Sequence, residues 1–206
     1  MREILEEKNI RWLYHFTRVE NLPNILRYGI LPRTELNNGI INSHTNDEFR
    51  YDKCEDAICM SVSFPNYRMF YYLRDNNKGT KWVVLEIDAS VLNDFSCAFC
   101  CTNAGNRKSY SIPLTERMGN EAFKEIFDEQ PGCHTREELS ISSNYPTDPQ
   151  AEILVFGNIP VSYINAVFFN DYDVLREYSY LRPSTISFEK NDMFFYPRHD
   201  HIYWRK

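Results

Sequence analysis

The sequence has little glycine and lacks the glycine-rich motifs that bind nucleotide phosphates. Only 7 of its 206 residues are Gly, about half of the share found in average proteins. Neither G-x-G-x-x-G nor G-x-x-x-x-G-K-[ST] occurs, which excludes a standard Rossmann dinucleotide site and a P-loop. The signatures G-x-S-x-G, H-E-x-x-H and H-x-E with P-C-x-x-C are missing too. A serine hydrolase, a zinc protease and a zinc deaminase therefore lose their main support.

Long apolar runs are also missing. No stretch approaches the roughly 18 apolar residues of a membrane span, and residues 1–8 are charged, unlike a secretory signal. We therefore expect a cytoplasmic protein with no membrane partner. Hydrophobic residues make up 43% of the chain and charged residues 25%, which is typical of a globular protein. The length predicts a single domain over residues 1–206.

Positive charge is not in excess. The chain has 23 Lys and Arg against 29 Asp and Glu, a formal net charge of −6. The composition therefore argues against binding to nucleic acid through bulk charge. A nucleic-acid substrate would need a short local basic strip, and its binding would be sensitive to salt.

The six cysteines do not form a convincing metal motif. Cys97, Cys100 and Cys101 include one C-x-x-C, but structural zinc needs a second ligand pair at suitable spacing. Cys133-His134 is the only candidate pair. Without a secretory signal, reduced thiols are favoured over disulfides, and burial as small apolar side chains is favoured over zinc. We expect no metal.

Strand-like and helix-like segments alternate irregularly, which predicts an α+β fold rather than a regular βαβ series. Strands are predicted at residues 12–17, 58–64, 82–87, 151–156, 164–169, 193–196 and 202–204. Helices are predicted from Leu22 to Gly29 and at residues 67–74, 120–128 and 171–180. Residues 33–51 and 132–150 are predicted to be polar loops, and 98–111 to be irregular.

Three polar residues stand out against their surroundings. Glu152 begins a strand of otherwise apolar residues, a pattern typical of burial on both faces. His15 lies in an aromatic strand, and the period of two places it on the same face as Thr17. Arg50 lies in an acidic segment, where a guanidinium can hold either a neighbouring carboxylate or a ligand phosphate. The residues alone leave a functional and a structural interpretation open for each.

Three segments together resemble the DarT family, DNA ADP-ribosyltransferase toxins of toxin–antitoxin systems. The first is Leu13–Leu31, LYHFTRVENLPNILRYGIL, and the second is Ser61–Tyr71, SVSFPNYRMFY. The third is Gln150-Ala-Glu152 followed by Ile-Leu-Val. They occur in the family's order and, with the strand that follows, cover residues 13–169, most of the chain.

The resemblance implies an ADP-ribosyltransferase fold, with two small, roughly orthogonal β-sheets that form an NAD cleft and are flanked by helices. His15 would hydrogen-bond the adenosine-side ribose. The backbone of Phe16 and Thr17 would hold the nicotinamide amide. Tyr71 would lie near the nicotinamide, with Met69 beside it. NAD would be a substrate, and such a cleft needs no glycine-rich loop.

The resemblance also implies the catalytic and substrate-binding residues. Glu152 would be the catalytic glutamate, and Arg50 would act at the NAD phosphates and in catalysis. The loop that ends at Gln150 would recognise the substrate, and Tyr145 would stack on a base of single-stranded DNA. The reaction would transfer ADP-ribose to a nucleobase, and a cognate antitoxin protein would restrain the toxin.

Two alternatives stay open at the level of the sequence. The same chemistry could act on RNA or on a protein side chain. Gln150, two positions before Glu152, argues against arginine as the acceptor, because arginine-modifying relatives usually carry Glu there. The other alternative is a non-enzymatic nucleotide-binding module, which would leave Glu152 without a task.

Overall fold

The structure is a computed structural model that describes residues 1–36, 44 and 51–204. The strands in this part of the chain are β1 (Trp12–Arg18), β2 (Ala57–Val62), β3 (Trp82–Asp88), β4 (Cys97–Cys100), β5 (Glu152–Phe156), β6 (Ile164–Phe169) and β7 (Ser187–Lys190). The α-helices are α1 (Arg2–Glu7), α2 (Leu22–Tyr28), α3 (Arg33–Leu36), α4 (Tyr67–Asn76), α5 (Val91–Asp94), α6 (Arg107–Tyr110), α7 (Gly119–Glu125), α8 (Arg136–Leu139) and α9 (Tyr172–Tyr178). Short 3-10 helices lie at Val19–Asn21, Leu114–Arg117, Val161–Tyr163, Ser179–Leu181, Met193–Phe195 and His199–Trp204.

The seven strands form one hydrogen-bonded order, β4-β5-β2-β1-β3-β6-β7. Strands β6 and β7 are parallel, and the other neighbours are antiparallel. This mixed sheet with its helices confirms the predicted α+β class. The two separate, orthogonal sheets that the resemblance implies are not confirmed, because β1 and β2 connect the two halves.

The connection between β1 and β2 is narrow. Only two residue pairs join them, Leu13 with Val62 and Tyr14 with Ser61. On its other side, β1 pairs with β3 along its whole length. Beyond Tyr14, therefore, β1 continues with β3 while β2 continues with β5. The strands leave a gap between the two halves of the sheet.

Alternate residues of β1 serve two different cores. Leu13 is fully buried in the main apolar core, together with side chains of β2, β3, β5, β6 and α7. Tyr14 and Phe16 face the opposite side, as the period of two requires. There they pack against a second cluster, the aromatic cluster, whose buried residues include Phe64, Tyr67, Phe70, Trp82, Phe168, Phe194 and Phe195.

Most predicted elements are present. The predicted strands at 12–17, 58–64, 82–87, 151–156 and 164–169 are found within a few residues of their expected bounds. Helix α2 contains Pro23 in its first turn and ends before Gly29, as expected. Asp171 caps α9 by accepting a hydrogen bond from the backbone N–H of Asp173.

The aromatic tail was predicted wrongly. Residues 193–196 and 202–204 were expected to be strands, but the tail forms 3-10 helices. Phe194 and Phe195 are buried in the aromatic cluster one by one, so their packing does not need an alternating strand. Strands β4 and β7 were not predicted, because each has only four residues and neither follows a clear apolar–polar alternation.

Within the described residues, no helix is both long enough and apolar enough to cross a bilayer.

Candidate active site

The gap between β1 and β2 opens into a cleft of about 280 Å³. Both strands line it, together with α2, the turn after β4 and the first residue of β5. Among the residues singled out in the sequence, five line the cleft: His15, Phe16, Thr17, Met69 and Glu152.

His15 bridges the two strands at the place where they separate. Its Nδ1 lies 2.9 Å from the carbonyl oxygen of Cys59 on β2. A carbonyl only accepts, so Nδ1 carries the hydrogen and Nε2 of the neutral ring is an acceptor. Burial lowers the pKa of His15, and the bond to Cys59 partly opposes that shift. The ring therefore favours its neutral form, in which Nε2 can accept a hydrogen bond from a hydroxyl group.

The register of β1 directs the backbone of Phe16 toward the gap. The backbone N–H of Ala89 donates to the carbonyl of Arg11, and that of Ser63 donates to the carbonyl of Trp12. In an antiparallel strand the backbone N–H and C=O groups of successive residues point alternately to the two neighbouring strands. The backbone groups of odd-numbered residues of β1 therefore bond β3, and those of even-numbered residues point toward β2. No described strand pairs with β1 on the β2 side beyond Tyr14. The N–H and C=O of Phe16 therefore face the cleft.

Thr17 contributes its side chain rather than its backbone, because it is an odd residue paired with β3. Its hydroxyl accepts a hydrogen bond of 2.9 Å from Nδ2 of Asn21. The same amide donates to the backbone carbonyl of His44 at 2.9 Å and accepts from its N–H at 2.8 Å. Asn21 thus fixes His44 at the cleft, a role for which the sequence carries no signal.

Glu152 is 6% exposed and lines the cleft at the start of β5. Its Oε2 accepts from the backbone N–H of Ala104 at 2.8 Å. Its Oε1 accepts from Nδ2 of Asn103 at 3.1 Å and from Nδ2 of Asn66 at 3.4 Å. All three groups are donors, which matches the acceptor-only ionised form of a carboxylate.

A second buried carboxylate shows why burial alone does not identify the site. Glu86 is 8% exposed and lies on β3. It accepts from the hydroxyl of Tyr14 at 2.9 Å and from Nδ2 of Asn165 at 2.7 Å. Glu86 is not among the residues that line the cleft, so we interpret it as part of the sheet's internal structure.

Helix α4 brings only one of its two predicted residues to the cleft. Met69 lines it, and its Sδ lies 3.8 Å from Nδ2 of Asn103. Tyr71 is 64% exposed and does not line the cleft. Two residues along an α-helix correspond to about 200° of rotation, so the two side chains leave on nearly opposite sides. The predicted contact of Tyr71 with nicotinamide stays a prediction.

The loop before β5 places Tyr145 and Gln150 outside the cleft lining. Tyr145 is half-buried against the aromatic cluster, with its ring edge-on to Phe64 at 6.2 Å between centroids. The guanidinium of Arg198 lies 5.3 Å from the Tyr145 ring. The substrate-binding roles of Tyr145 and Gln150 stay predictions.

Two arginines hold this loop in place. Arg136 donates to the carbonyls of Phe127, Ser142 and Tyr145 at 2.8–3.3 Å. The guanidinium of Arg136 is thus engaged within the loop.

Arg198 holds the end of the loop from the C-terminal tail. It is buried, donates to the carbonyls of Pro146 and Thr147, and pairs with Asp200 through two hydrogen bonds of 2.6 and 2.7 Å.

The loop is also more ordered than its polar composition predicts. It contains α8, which begins with a capping box: Thr135 accepts from the N–H of Glu138, and Glu138 accepts from the N–H of Thr135. The spacing T-x-x-E in the sequence is the signal that could have identified this helix.

Arg50 lies outside the described residues, so its role at the NAD phosphates stays a prediction. The cysteines in the described residues form no disulfide bonds. Burial raises the pKa of Cys97 to about 12 and that of Cys101 to about 11, so neither side chain is a reactive thiolate near neutral pH. The described part of the chain contains no group of three or more His, Cys, Asp or Glu side chains that could hold a metal ion.

Comparison with solved structures shows the same fold in DarT proteins. A Thermosipho africanus DarTG structure with ADP-ribose matches with a TM-score of 0.60 and 18% identity, over 90% of this chain and 51% of that one. The chain thus spans about half of that relative's length. Thermus sp. 2.9 DarT in complex with carba-NAD+ matches with a TM-score of 0.62 and 15% identity, over 90% of this chain and 97% of that one.

The same Thermus protein in complex with ADP-ribosylated ssDNA matches with a TM-score of 0.56 and 15% identity, over 87% of this chain and 94% of that one. No curated protein matches the sequence. The family model described as "ssDNA thymidine ADP-ribosyltransferase, DarT" matches residues 14–195, nearly the whole chain. The protein whose cleft contains His15 and Glu152 therefore belongs to the DarT family of ssDNA thymidine ADP-ribosyltransferases.

Proposed function

We propose that this protein transfers ADP-ribose from NAD to a thymidine base of single-stranded DNA and releases nicotinamide. The observation that carries the proposal is Glu152, a buried carboxylate surrounded by donors at the wall of the cleft. The description of the family, which names single-stranded DNA and thymidine, supports the choice of acceptor.

The cleft offers NAD the groups that its parts require. Nε2 of His15 accepts a hydrogen bond from a hydroxyl of the adenosine-side ribose. The cleft-facing N–H and C=O of Phe16 pair with the nicotinamide amide, and Thr17 and Met69 pack beside the ring. Arg50 holds the phosphates, a role that rests on the sequence resemblance.

The reaction breaks the bond between the ribose C1′ and the nicotinamide nitrogen. The electron pair of that bond leaves with nicotinamide, and positive charge develops on the ribose, as in glycoside cleavage. The carboxylate of Glu152 stabilises this charge and orients the ribose hydroxyls. The ring N–H of thymine then bonds C1′ through its nitrogen. Glu152 receives the proton as general base, so one proton is released for each ADP-ribose transferred.

The biological setting follows from this chemistry and from the family. We propose that the protein acts in the cytoplasm, where NAD and single-stranded DNA meet during replication. As a member of a toxin family, it is restrained by a cognate antitoxin protein. The loop that ends at Gln150 and contains Tyr145 binds the DNA.

A direct test incubates the protein with NAD and separate pools of single-stranded DNA and RNA oligonucleotides, followed by mass spectrometry. We expect one ADP-ribosyl group on thymidine-containing DNA and none with Glu152→Gln. Glu86→Gln, a change at an equally buried carboxylate outside the cleft, is the matched control and should retain transfer. Thermal unfolding of each variant separates loss of chemistry from loss of fold.

The other outcomes distinguish the alternatives. Modification of the RNA pool and not of the DNA pool would show that RNA is the substrate. Modification only of a protein mixture, supplied as a third pool, would show that the acceptor is a protein side chain. No modification of any pool by folded protein that binds NAD would contradict the proposed transfer and favour a binding module. In bacteria, Glu152→Gln should also relieve toxicity that the wild type causes on expression.

A further inference from the structure

Asn103 uses the two ends of its side-chain amide for different purposes. Its Oδ1 accepts a hydrogen bond of 3.0 Å from the backbone N–H of Gly105, which closes the turn after β4. Its Nδ2 donates to Oε1 of Glu152 at 3.1 Å. The oxygen thus stabilises the local chain, and the nitrogen reaches the carboxylate.

Asn66 divides its amide in the same way, from a different element. Its Oδ1 accepts from the backbone N–H of Met69 at 3.1 Å and caps the first turn of α4. Its Nδ2 donates to the same Oε1 of Glu152 at 3.4 Å. Asn66 is 1% exposed, and its backbone N–H donates to the hydroxyl of Ser61 at 3.0 Å, so its position is fixed.

The local structure does not explain why either residue is asparagine. Aspartate caps helices as well as asparagine does and forms the same turns, because both use a side-chain oxygen as acceptor. Among the hydrogen bonds to oxygen, only the contact with Glu152 requires the amide, since an aspartate there would place a second carboxylate against the first. The contact of Asn103 Nδ2 with Sδ of Met69, at 3.8 Å, is a weaker use of the same donor. The identity of both residues is therefore explained by the carboxylate that they touch.

We propose that Asn66 and Asn103 are positioning residues that hold Glu152 in one orientation, as an ionised carboxylate facing the cleft. The inference rests on the proposed function of Glu152. Both amides converge on Oε1, while the backbone N–H of Ala104 holds Oε2. With both oxygens held, the carboxylate meets the ribose without first having to reorient, which is how preorganised groups contribute to rate.

The test uses Asn103→Asp and Asn66→Asp, which keep the acceptor for the turn and the cap but remove the donor. Asn106→Asp is the matched control. Asn106 lies three residues after Asn103 and also accepts from a backbone N–H, that of Lys108, at 3.0 Å. It is exposed, and its side-chain oxygen accepts from Lys108 rather than facing Glu152. The three variants carry the same change of charge.

The kinetic readout is kcat and KM for NAD with thymidine-containing single-stranded DNA. We expect kcat to fall about 10- to 100-fold in Asn103→Asp, the loss of one hydrogen bond to a charged group. A smaller fall is expected for Asn66→Asp because its bond is longer. KM for NAD should stay within about twofold, since binding groups elsewhere in the cleft are intact. Asn106→Asp should match the wild-type kcat at saturating DNA, where its charge next to Arg107 and Lys108 does not enter the comparison.

A second readout covers the case in which the single variants fold poorly. Each is combined with Glu152→Gln, and the midpoint of thermal unfolding is measured. Repulsion between two carboxylates should lower the midpoint in Asn103→Asp, and the neutral amide that replaces the carboxylate of Glu152 should restore it. A midpoint as low in the double variant as in the single one would overturn the inference.

Failure of the inference can be told apart from failure of the proposed function. If the wild type modifies no DNA, the proposed function itself is contradicted. If the wild type is active and Glu152→Gln is inactive, but both aspartate variants keep wild-type kcat, Glu152 is catalytic and the two asparagines do not position it.

Discussion

Nδ1 of His15 donates to the carbonyl of Cys59 across the first position at which β1 and β2 no longer pair. A side chain thus takes over from the backbone as the link between the two halves of the sheet. The contact leaves Nε2 for a ligand and fixes the tautomer of the ring. The pH dependence of this one contact can be tested directly.

Burial holds the pKa of His15 below its value in the unfolded chain. As the pH falls through about 6.5, the unfolded chain therefore takes up the proton first, and the free energy of unfolding falls. His15→Asn keeps a donor for Cys59 but has no titrating group, so this part of the pH dependence should disappear. Urea unfolding between pH 5 and pH 8 measures it. His199→Asn, at an exposed histidine, is the control. If His15→Asn has the same pH dependence as this control and the wild type, the assignment of that dependence to His15 is wrong.

Gly29 is expected to tolerate no side chain. Its φ is +84°, and a Cβ there would lie 2.2 Å from the backbone oxygen of Ile159, where the chain after α2 pairs with Ile159 through Ile30. Gly29→Ala should lower the free energy of unfolding by about 2–5 kcal/mol, since backbone strain adds to the clash. Gly79→Ala is the matched control, because φ there is +96° but a Cβ meets nothing within 4 Å. Equal losses in the two variants would show that the clash has no effect.

Arg198 is expected to be essential for stability. Its guanidinium and the carboxylate of Asp200 are almost completely buried, so Arg198→Ala leaves an uncompensated charge inside the protein. We expect a loss of about 3–5 kcal/mol in the free energy of unfolding, together with loosening of the loop at Pro146 and Thr147. Arg182→Ala, at an exposed arginine, should change stability by less than about 0.5 kcal/mol. A similar small change for Arg198 would exclude the buried pair as an anchor.

Arg107 and Lys108 are the basic side chains that we expect to contact DNA phosphates. Both are exposed on α6, directly after the turn at Asn103 and Gly105 that lines the cleft. Replacing both with Ala should weaken binding of single-stranded DNA and reduce the slope of log affinity against log salt concentration by about 1.4. Fluorescence anisotropy at several salt concentrations measures this slope. Exposed Arg2→Ala on α1 is the control, and an unchanged slope in the double variant would exclude this contact.

The sequence was sufficient to predict the parts of the fold with strong periodicity. The apolar run of β5 and the alternation of β1 are visible in it, and so are the position of Gly29 and the cap at Asp171. Strand β7 and the 3-10 tail could not be predicted, because short elements take their form from the surfaces on which they pack. Phe194 shows this: its aromatic ring favours a strand, yet it is buried in a 3-10 turn.

The candidate site was predictable in part for a similar reason. Glu152 and His15 contrast with their apolar neighbours, so each is noticeable in the sequence alone. Asn66 and Asn103 lie in polar turns where asparagine is ordinary, and only the fold brings them to one carboxylate oxygen. Met69 and Tyr71 are close in the sequence, but helical geometry separates them.

The narrow joint between β1 and β2 also has a thermodynamic consequence. Backbone groups such as those of Phe16, which a continuous sheet would use for pairing, are left for a ligand, so the unliganded protein gives up part of its own sheet stability. A molecule that fills the gap returns those hydrogen bonds and binds only the folded state. At a concentration of 100 times its dissociation constant, it stabilises the fold by about 2.7 kcal/mol. In a cell that always contains NAD, the liganded protein is then the more stable reference state, and depletion of NAD by the reaction itself would make the enzyme easier to unfold.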